Sequence, residues 1–490
     1  MASSPLPARL LPAALTTALL LLAGCASTHG LAPEGTALDA DTLAASRSLS
    51  GAHLSGAAFP QQQWWKALGD AQLDALIDEA LAGTPTLAAA DARARQAIAQ
   101  AGLADAERQP VVAATGQYSG VRIPESVAPA PLGGSYKGIF LLGLNFKYSP
   151  DLWGGQRAKW QAALGQARAA EVEAQDARLL IASNVAKAYV GLAQAYAALD
   201  VATAEQQRSA HQLDLGRQRV RAGLDNQLTL RQAESTVDAA KAQQQAAQQQ
   251  IDAARNALAA LLGKGPDRGL DITRPALLSA PPASVPDVVP SELLGHRPDV
   301  VAARWQVEAA SHGIKAAKAA FYPTVNLSAL VGVAAGGLGD LFNSNALLAQ
   351  GGPAISLPIF DGGRLRSNLA STDAQYDLAV AGYNQALVGA LREVVDALQA
   401  ARSLDAQLAS TQQARDAAQA ALSLATQRYR AGLATQLDVL AAQHPLLQID
   451  QQLAALRAQR LNATVDLDRA LGGGLVLTSP DTDIAKAPTP

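Results

Sequence analysis

Few residues of this chain are arranged for catalysis. The six histidines are scattered, with neither an HExxH motif nor a pair at the spacing of a metal site. The glycine-rich run Gly332–Gly339 has the composition of a phosphate-binding loop. However, it lacks the following lysine and is predicted to lie between strands, as an external loop, and not before a helix. These patterns argue against an enzyme, and they predict neither a metal nor another cofactor.

Cys25 is the only cysteine and the residue best placed for covalent chemistry. It follows a lone positive charge, Arg9, and about 15 mostly apolar residues, too few to span a bilayer, which is the pattern of a signal peptide over residues 1–24. The junction Leu22-Ala23-Gly24-Cys25 resembles a bacterial lipobox, which implies cleavage before the cysteine and a lipid on it. The alternative is that Cys25 is a small buried residue found there by chance. A single thiol leaves no internal disulfide.

The composition predicts long helices that pack closely. Hydrophobic residues make up 49% of the chain but aromatic residues only 4%, and alanine and glutamine are abundant. The formal net charge is −3 and no basic patch is present, so no nucleic-acid partner is expected. No uninterrupted apolar run of about 18 residues follows residue 25, so no transmembrane helix is predicted.

The sequence is internally duplicated. Arg221-Ala222-Gly223-Leu224 returns as Arg430-Ala431-Gly432-Leu433, and Leu262-Gly263 returns as Leu471-Gly472, both about 209 residues later. The predicted layout is a signal peptide (1–24), a lipidated N-terminal segment (25–83), a first repeat (84–263), a Pro-rich connector (264–290), a second repeat (291–472) and a disordered tail (473–490).

Both repeats predict the same order of elements. A helix (87–108 and 300–320) is followed by a strand pair and then by a proline-free helical stretch (156–221 and 364–430), which would span on the order of 100 Å. An Arg-Ala-Gly break precedes a returning helix (227–262 and 435–471). A soluble coiled coil is the alternative for these helices.

Four strands are predicted. The clearest, 138–149, alternates between an aromatic-rich apolar face and a face of small or polar residues, and the others are 111–121, 324–333 and one that ends at Phe360. A soluble sheet with one buried face would also show this alternation. In a membrane, four strands would leave two unpaired edges, so a lone chain is excluded there, although the number of copies stays open.

Several segments resemble the outer-membrane efflux proteins, the TolC-like outer membrane factors, and within them the NodT-like lipoprotein subgroup. The resemblance rests on four segments: Pro358–Arg364, Pro150–Arg157, Leu293–Val300 and Trp64-Trp65. It implies an α+β, mostly α fold and a homotrimer. In that trimer the long antiparallel helices form a periplasmic α-barrel, and four strands from each chain form a twelve-stranded transmembrane β-barrel.

The resemblance also implies a function, a location and partners. The chain would be a passive duct in the outer membrane of a Gram-negative bacterium, exporting small molecules such as drugs without catalysis or a cofactor. An inner-membrane pump would deliver them through a periplasmic adaptor protein. An RND pump is favoured, with a major-facilitator or aromatic-acid exporter as alternatives. The rival function is a periplasmic adaptor lipoprotein, a class that lacks this duplication.

By resemblance, the channel closes at the tips of the helical hairpins. The implied gate residues are Leu437, Asp438, Ala441, Tyr429 and Arg430, with Leu228 and Arg231 at the equivalent tip of the first repeat. Leu437 matches a constricting leucine and Asp438 an acidic position, whereas Ala441 stands where many relatives carry a second aspartate. Tyr429 and Arg430 would brace neighbouring helices.

Three points about the predicted gate stay open at the level of sequence. Asp438 could form an acidic ring or be a solvated acid on a helix surface. Arg231 could pair with Asp438 or face solvent. Pro445 is predicted to kink its helix near the gate, because a proline removes one backbone hydrogen bond.

Overall fold

The computed structural model describes residues 28–39, 43, 54–55, 60–127, 129, 134–276, 285–286 and 296–475. Cys25, the predicted signal peptide, residues 277–284 and 287–290 of the connector and the tail beyond residue 475 lie outside the described residues. The chain forms two compact units. The first comprises Met1–Ala37, Ala94–Ala170 and Ala303–Tyr383, and the second comprises Leu38–Arg93, Glu171–Ala302 and Asn384–Pro490.

Helices dominate the described part of the chain. They are α1 (Ala71–Gly83), α2 (Pro85–Ala106), α3 (Gly155–Arg221), α4 (Gln227–Leu261), the short α5 (Asp267–Leu270), α6 (Pro298–Ala319), α7 (Arg364–Arg430) and α8 (Gln436–Ala470). The strands are β1 (Leu54–Ser55), β2 (Val111–Arg122), β3 (Tyr136–Tyr148), β4 (Val285–Pro286), β5 (Thr324–Ala335) and β6 (Leu347–Ser356), and 3-10 turns cover Trp64–Leu68, Leu338–Asp340 and Ser344–Ala346.

The duplication is visible in the helix lengths. The long helices α3 and α7 each contain 67 residues, and the returning helices α4 and α8 each contain 35. Among the described residues, no helix is long and apolar enough to cross a membrane.

An aspartate caps the start of each long helix. The Asp151 carboxylate accepts a hydrogen bond from the Arg157 backbone N–H at 2.7 Å, and the Asp361 carboxylate accepts one from the Leu365 N–H at 2.9 Å. Such bonds satisfy donors that the first helical turn leaves free. Gly154 before α3 has a φ of 73°, a conformation that side chains disfavour. The Asp and Gly residues of the segments Pro150–Arg157 and Pro358–Arg364 therefore set where the long helices begin.

The four longer strands form one antiparallel sheet in the first unit, in the order β2-β3-β5-β6. Its register places apolar side chains together on one face, because Phe146 on β3 pairs with Val112 on β2 and with Ala329 on β5. The opposite face carries small and polar residues, and there the Asn145 amide donates to the Thr115 hydroxyl. The sheet thus has the two unlike faces that its sequence predicts.

Two strand boundaries differ from the prediction. The last strand ends at Ser356 and not at Phe360, because Pro358 cannot donate to a ladder and Asp361 already caps α7. The glycine-rich run is not wholly a loop, since Gly332 to Ala335 belong to β5. A Cβ on Gly332 would lie only 2.5 Å from the Gly143 Cα, so a glycine is needed for β5 to approach β3 there.

The main apolar cluster lies in the second unit. Trp64 and Trp65 meet edge to face, with ring centroids 5.8 Å apart, and belong to the same cluster as Tyr189 of α3. The Tyr189 hydroxyl donates to the Asp70 carboxylate at 2.9 Å, and that carboxylate also caps α1. The N-terminal segment that carries Trp64-Trp65 is therefore part of the core of this unit.

Arg297 gives the segment that opens the second repeat a structural role. Its guanidinium is buried and donates to Asp299 at 2.6 Å, to Glu393 of α7 at 3.0 Å and to the Ala470 carbonyl at the end of α8 at 3.2 Å. A buried charge is tolerated only when it is paired and hydrogen-bonded in this way. Arg297 thus joins the three helices of the second repeat within this unit.

Candidate functional site

The two hairpin tips have the same backbone design. Gly223 and Gly432 have φ values of 71° and 75°. After them, the Leu224 N–H donates to the Arg219 carbonyl and the Leu433 N–H to the Arg428 carbonyl, both at 2.8 Å. This is the pattern by which a left-handed glycine ends a helix. The Arg-Ala-Gly repeat therefore encodes two matching turns.

The following helices are capped by side chains. Asn226 caps α4 through the Thr229 N–H at 3.1 Å. Thr435 and Asp438 form a capping box at the start of α8, in which the Asp438 carboxylate accepts from the Thr435 backbone N–H at 2.7 Å and from its hydroxyl at 2.8 Å. These bonds lower the pKa of Asp438, so its exposed carboxylate is ionised at neutral pH.

Tyr429 joins the two hairpins and is 2% exposed. Its hydroxyl donates to the Asp225 carboxylate at 3.0 Å, and the Arg219 guanidinium lies 4.6 Å from its ring centroid. Arg219 also pairs with Asp225 at 3.2 Å and donates to the Tyr429 carbonyl at 3.2 Å. Arg219, Asp225 and Tyr429, here named the tip lock, therefore bind the second hairpin to the first.

The electrostatics of the tip lock favour its charged form. Burial disfavours ionisation of Asp225, but hydrogen bonds from Tyr429, Thr229 and Arg219 and the charge of Arg219 lower its pKa overall. Burial and the bond to Asp225 raise the pKa of Tyr429 to about 12. At neutral pH the carboxylate is thus a charged acceptor and the phenol a neutral donor.

The remaining predicted gate residues lie on the surface of the tips. Leu228 and Leu437 occupy matching positions, and both are 68% exposed. The Arg430 guanidinium lies 3.1 Å from the His211 imidazole of α3. Ala441 and Pro445 are exposed on α8, which continues through the proline.

Within the described residues of the single chain, Arg231 and Asp438 do not pair with each other. Arg231 pairs with Glu234, three residues along its own helix, at 2.8 Å, and its side chain is 76% exposed. The Asp438 carboxylate is engaged by Thr435 instead. Arg231 therefore fits the other alternative, a solvent-facing side chain.

Further up the hairpins lies a buried polar layer that the sequence did not reveal. The Glu205 carboxylate of α3 accepts hydrogen bonds from the Ser209 hydroxyl at 3.2 Å and from the Gln443 amide of α8. All three residues are at most 5% exposed. The hairpins thus meet through polar groups as well as apolar ones, two turns or more from the tip lock.

Asp225 and Arg219 were also absent from the predicted site. The signal for Asp225 was the comparison of the repeats, since Asp225 has Ala434 as its counterpart and Tyr429 has Val220, whereas Arg219 is matched by Arg428 and carried no such signal.

The sequence model of outer membrane efflux proteins matches residues 76–264 and 289–473, that is, both repeats. The chain belongs to the outer membrane efflux protein family. It is 40% identical to the fusaric acid resistance protein FusA of Burkholderia cepacia, over 76% of this chain and 71% of that relative. It is 32% identical to the multidrug resistance outer membrane protein MdtP of Escherichia coli K12, over 95% and 96% of the two chains.

Solved structures agree with this family. The crystal structure of the outer membrane protein VceC from Vibrio cholerae matches with a TM-score of 0.80 and 39% identity, over 85% of this chain and all of that one. This protein is therefore an outer-membrane efflux channel with the TolC-like fold, and its family consists of channels, not enzymes. The adaptor alternative is not supported.

Proposed function

We propose that three copies of this efflux channel close into one barrel. Within the described sheet, β2 and β6 are the outer strands, so each leaves a row of backbone N–H and C=O groups without a partner. Each backbone polar group that stays unpaired in hydrocarbon costs roughly several kcal/mol of free energy. Because the four strands are antiparallel and even in number, β6 of one copy can pair antiparallel with β2 of the next. Three copies, as the resemblance implies, give twelve strands.

The apolar face of the sheet would then meet lipid and the polar face would line the lumen. The large apolar residues Leu144, Val331 and Ile355 of β3, β5 and β6 are 57%, 56% and 75% exposed in the single chain. Contact with lipid accounts for such exposure, which a soluble sheet would not tolerate. The two unpaired edges of this amphipathic sheet are the observation that carries the proposal.

The tips are the proposed docking site for a periplasmic adaptor. The tip leucines Leu224 and Leu433 are 66% and 71% exposed. Exposed apolar groups at the same place on two hairpins are typical of a protein interface. Through the adaptor the channel would receive cargo from an inner-membrane pump.

The resemblance favours an RND pump, and a major-facilitator or aromatic-acid exporter would be the alternative. The names of relatives indicate small organic cargo, because they include fusaric acid resistance and multidrug resistance. Fusaric acid is an aromatic carboxylic acid, so aromatic carboxylic acids should be among the first compounds tested for export.

The gate is proposed to carry one acidic ring. Three ionised Asp438 carboxylates close to the channel axis would attract cations, whereas the alanine at position 441 adds no charge. Leu437 would narrow the passage beside this ring. No metal or other cofactor is needed for such a passive duct.

The mature chain is proposed to carry a lipid on Cys25 that inserts into the outer membrane. The support is the lipobox-like junction at residues 22–25. Incorporation of labelled palmitate tests this, and Cys25→Ala should abolish it. Label retained by Cys25→Ala would place the acyl group elsewhere.

One experiment tests the assembly. The protein purified from outer membranes should run as a trimer that heat dissociates, and it should conduct ions in a planar bilayer. A monomer or dimer with full conductance would contradict the barrel proposed from the sheet edges. Protein that is trimeric but never conducts would contradict the duct.

A further inference from the structure

The four long strands carry charges of one sign only. The charged residues of β2, β3, β5 and β6 are Arg122, Lys137 and Lys147, and none of these four strands contains an aspartate or a glutamate. Both lysines belong to β3 and lie close to its two ends. Any field that the strands create is therefore positive, and its effect depends on the face of the sheet that each cation occupies.

The register places both lysines on the polar face of the sheet. Lys147 lies two residues after Asn145 and Lys137 lies eight residues before it, so all three side chains are on the same side of β3. The pairing of β2 with β3 is continuous along their length, with no bulge that would reverse the alternation. Arg122 pairs with Tyr136 and therefore lies on the opposite, apolar face.

The lysines have neutral neighbours on the polar face. Lys147 pairs with Val111 on β2 and with Ser328 on β5, and Lys137 pairs with Val121 on β2. Both lysines are exposed, and neither forms an ion pair with another described residue. Their positive charges are thus not compensated within the sheet.

The acidic residues that flank the strands lie beyond the strand ends. Asp151 and Asp361 come after β3 and β6, where their carboxylates accept backbone N–H bonds at the start of the long helices. Glu125 follows β2, and Asp340 follows β5. Between the two lysines, over about 34 Å of strand, the polar face of the described sheet therefore has no negative side chain.

A closed barrel would turn the two lysine positions into rings, here named the lysine rings. In the trimer proposed above, the polar face lines the lumen, so Lys137 and Lys147 each occur three times around it. A twelve-stranded barrel has a backbone radius of about 12 Å, and a lysine side chain reaches about 6 Å inward. The ammonium groups would then lie about 6 Å from the axis, which is within the Debye length of about 10 Å at 0.1 M salt. At that range, rings of cations attract anions and repel cations.

We propose that Lys137 and Lys147 make the barrel selective for small organic anions. The inference rests on the barrel proposed above and names the class of cargo that this barrel favours. Three charges at this distance should enrich a monovalent anion on the axis about threefold at 0.1 M salt. The acidic ring proposed for Asp438 acts in the opposite sense at the gate, so the experiment has to separate the two effects.

The first measurement is the reversal potential of the trimer in a planar bilayer, across a KCl gradient at about 0.1 M or below, where screening is weak. It is made in the Asp438→Asn background, which removes the acidic ring proposed at the gate. Replacing Lys137 and Lys147 together by glutamine should lower the permeability ratio of chloride to potassium about threefold or more. Lys147→Arg keeps the charge and should leave this ratio unchanged.

Arg122→Gln is the matched control for the loss of charge. It removes one positive charge at the same end of the sheet as Lys137, one position along the ladder, but from the face that would meet lipid. The permeability ratio should therefore stay at the value of the Asp438→Asn parent.

The second measurement tests the class of cargo. Proteoliposomes are loaded with benzenesulfonate or phenyltrimethylammonium, two aromatic ions of similar size and permanent, opposite charge, and the release of each is timed. Through Asp438→Asn trimers, benzenesulfonate should leave about threefold faster, and the double lysine variant should abolish the difference. Salt at about 1 M should also abolish it, because the Debye length then falls to about 3 Å.

The outcomes separate the lysine rings from the duct itself. An unchanged permeability ratio in double-variant trimers that conduct would refute the lysine rings and leave the duct standing. An equal fall for Arg122→Gln would also refute them, because the charge would not act through the lumen. Trimers that never conduct would overturn the proposed duct, and the lysine rings with it.

Each variant is first checked for a trimer that heat dissociates. If the double variant does not assemble, the single substitutions Lys137→Gln and Lys147→Gln take its place, and each should lower the permeability ratio by part of the full amount. No change in either single variant would refute the lysine rings.

Discussion

Removing one hydroxyl from the tip lock should open the channel. Tyr429→Phe deletes the donor to Asp225 but keeps the ring on which Arg219 stacks. A hydrogen bond to a charged group contributes about 1.5–3 kcal/mol. Because Asp225 and Arg219 are each 17% exposed, water screens this contact and the lower part of that range applies.

A loss of about 1.5 kcal/mol changes the ratio of open to closed tips by roughly tenfold in each protomer. The measurement is the open probability of single trimers in a planar bilayer. Uptake by whole cells of a large antibiotic that the outer membrane normally excludes provides a second readout.

Tyr196→Phe is the matched control, because the Tyr196 hydroxyl accepts a hydrogen bond from Arg255 away from the tips. It should leave the open probability at the wild-type value. Equal open probabilities for Tyr429→Phe and the wild-type protein would refute the tip lock. An equal rise in both variants would show that the effect is not specific to the tip.

Four further predictions follow from other residues. Burial raises the pKa of Asp468 from an ordinary 3.8 to about 7. Its ionisation therefore destabilises the folded state progressively as the pH rises from about 4 to about 7. Asp468→Asn should raise the melting temperature at pH 8 but not at pH 4. Arg297→Met leaves Asp299 without its cation and Glu393 with Arg469 alone, and it should lower the free energy of unfolding by about 1–3 kcal/mol in urea titrations, against a smaller loss for Arg297→Lys. Asp438→Asn keeps a side-chain oxygen that can accept from the Thr435 N–H in the capping box but removes the charge, so the reversal potential across a salt gradient should show weaker cation preference. Pro445→Ala restores a helical donor and should change both conductance and export if the proline sets the curve of the tip; wild-type values for both would refute that role.

Helix boundaries were the most predictable part of the fold. The long helices begin and end within about two residues of their predicted limits, because Asp-Gly caps and Arg-Ala-Gly turns act locally and are written in the sequence. The alternation of β3 likewise predicted the two faces of the sheet. The end of β6 was less predictable, because the apolar alternation continues to Phe360 whereas the hydrogen-bonded pairing of the strand ends at Ser356.

Contacts between distant residues could not be predicted from local patterns. Gly332 reads as a loop residue until β3 is placed beside it with Gly143. Asp225 reads as an ordinary turn residue until Tyr429, 204 positions away, donates to it. In both cases the deciding partner is brought close only by the fold, which is why the tip lock was missed although one of its members was predicted.

The tip lock lies entirely within one polypeptide, since Arg219, Asp225 and Tyr429 belong to the same chain. Each subunit can therefore close its own pair of hairpins before it meets another subunit, so closure does not depend on protein concentration. In cells that express both wild-type and Tyr429→Phe subunits, the leak through the channels should rise in proportion to the share of variant subunits. Leakiness should then be graded with gene dosage, and the variant should behave as neither fully dominant nor fully recessive.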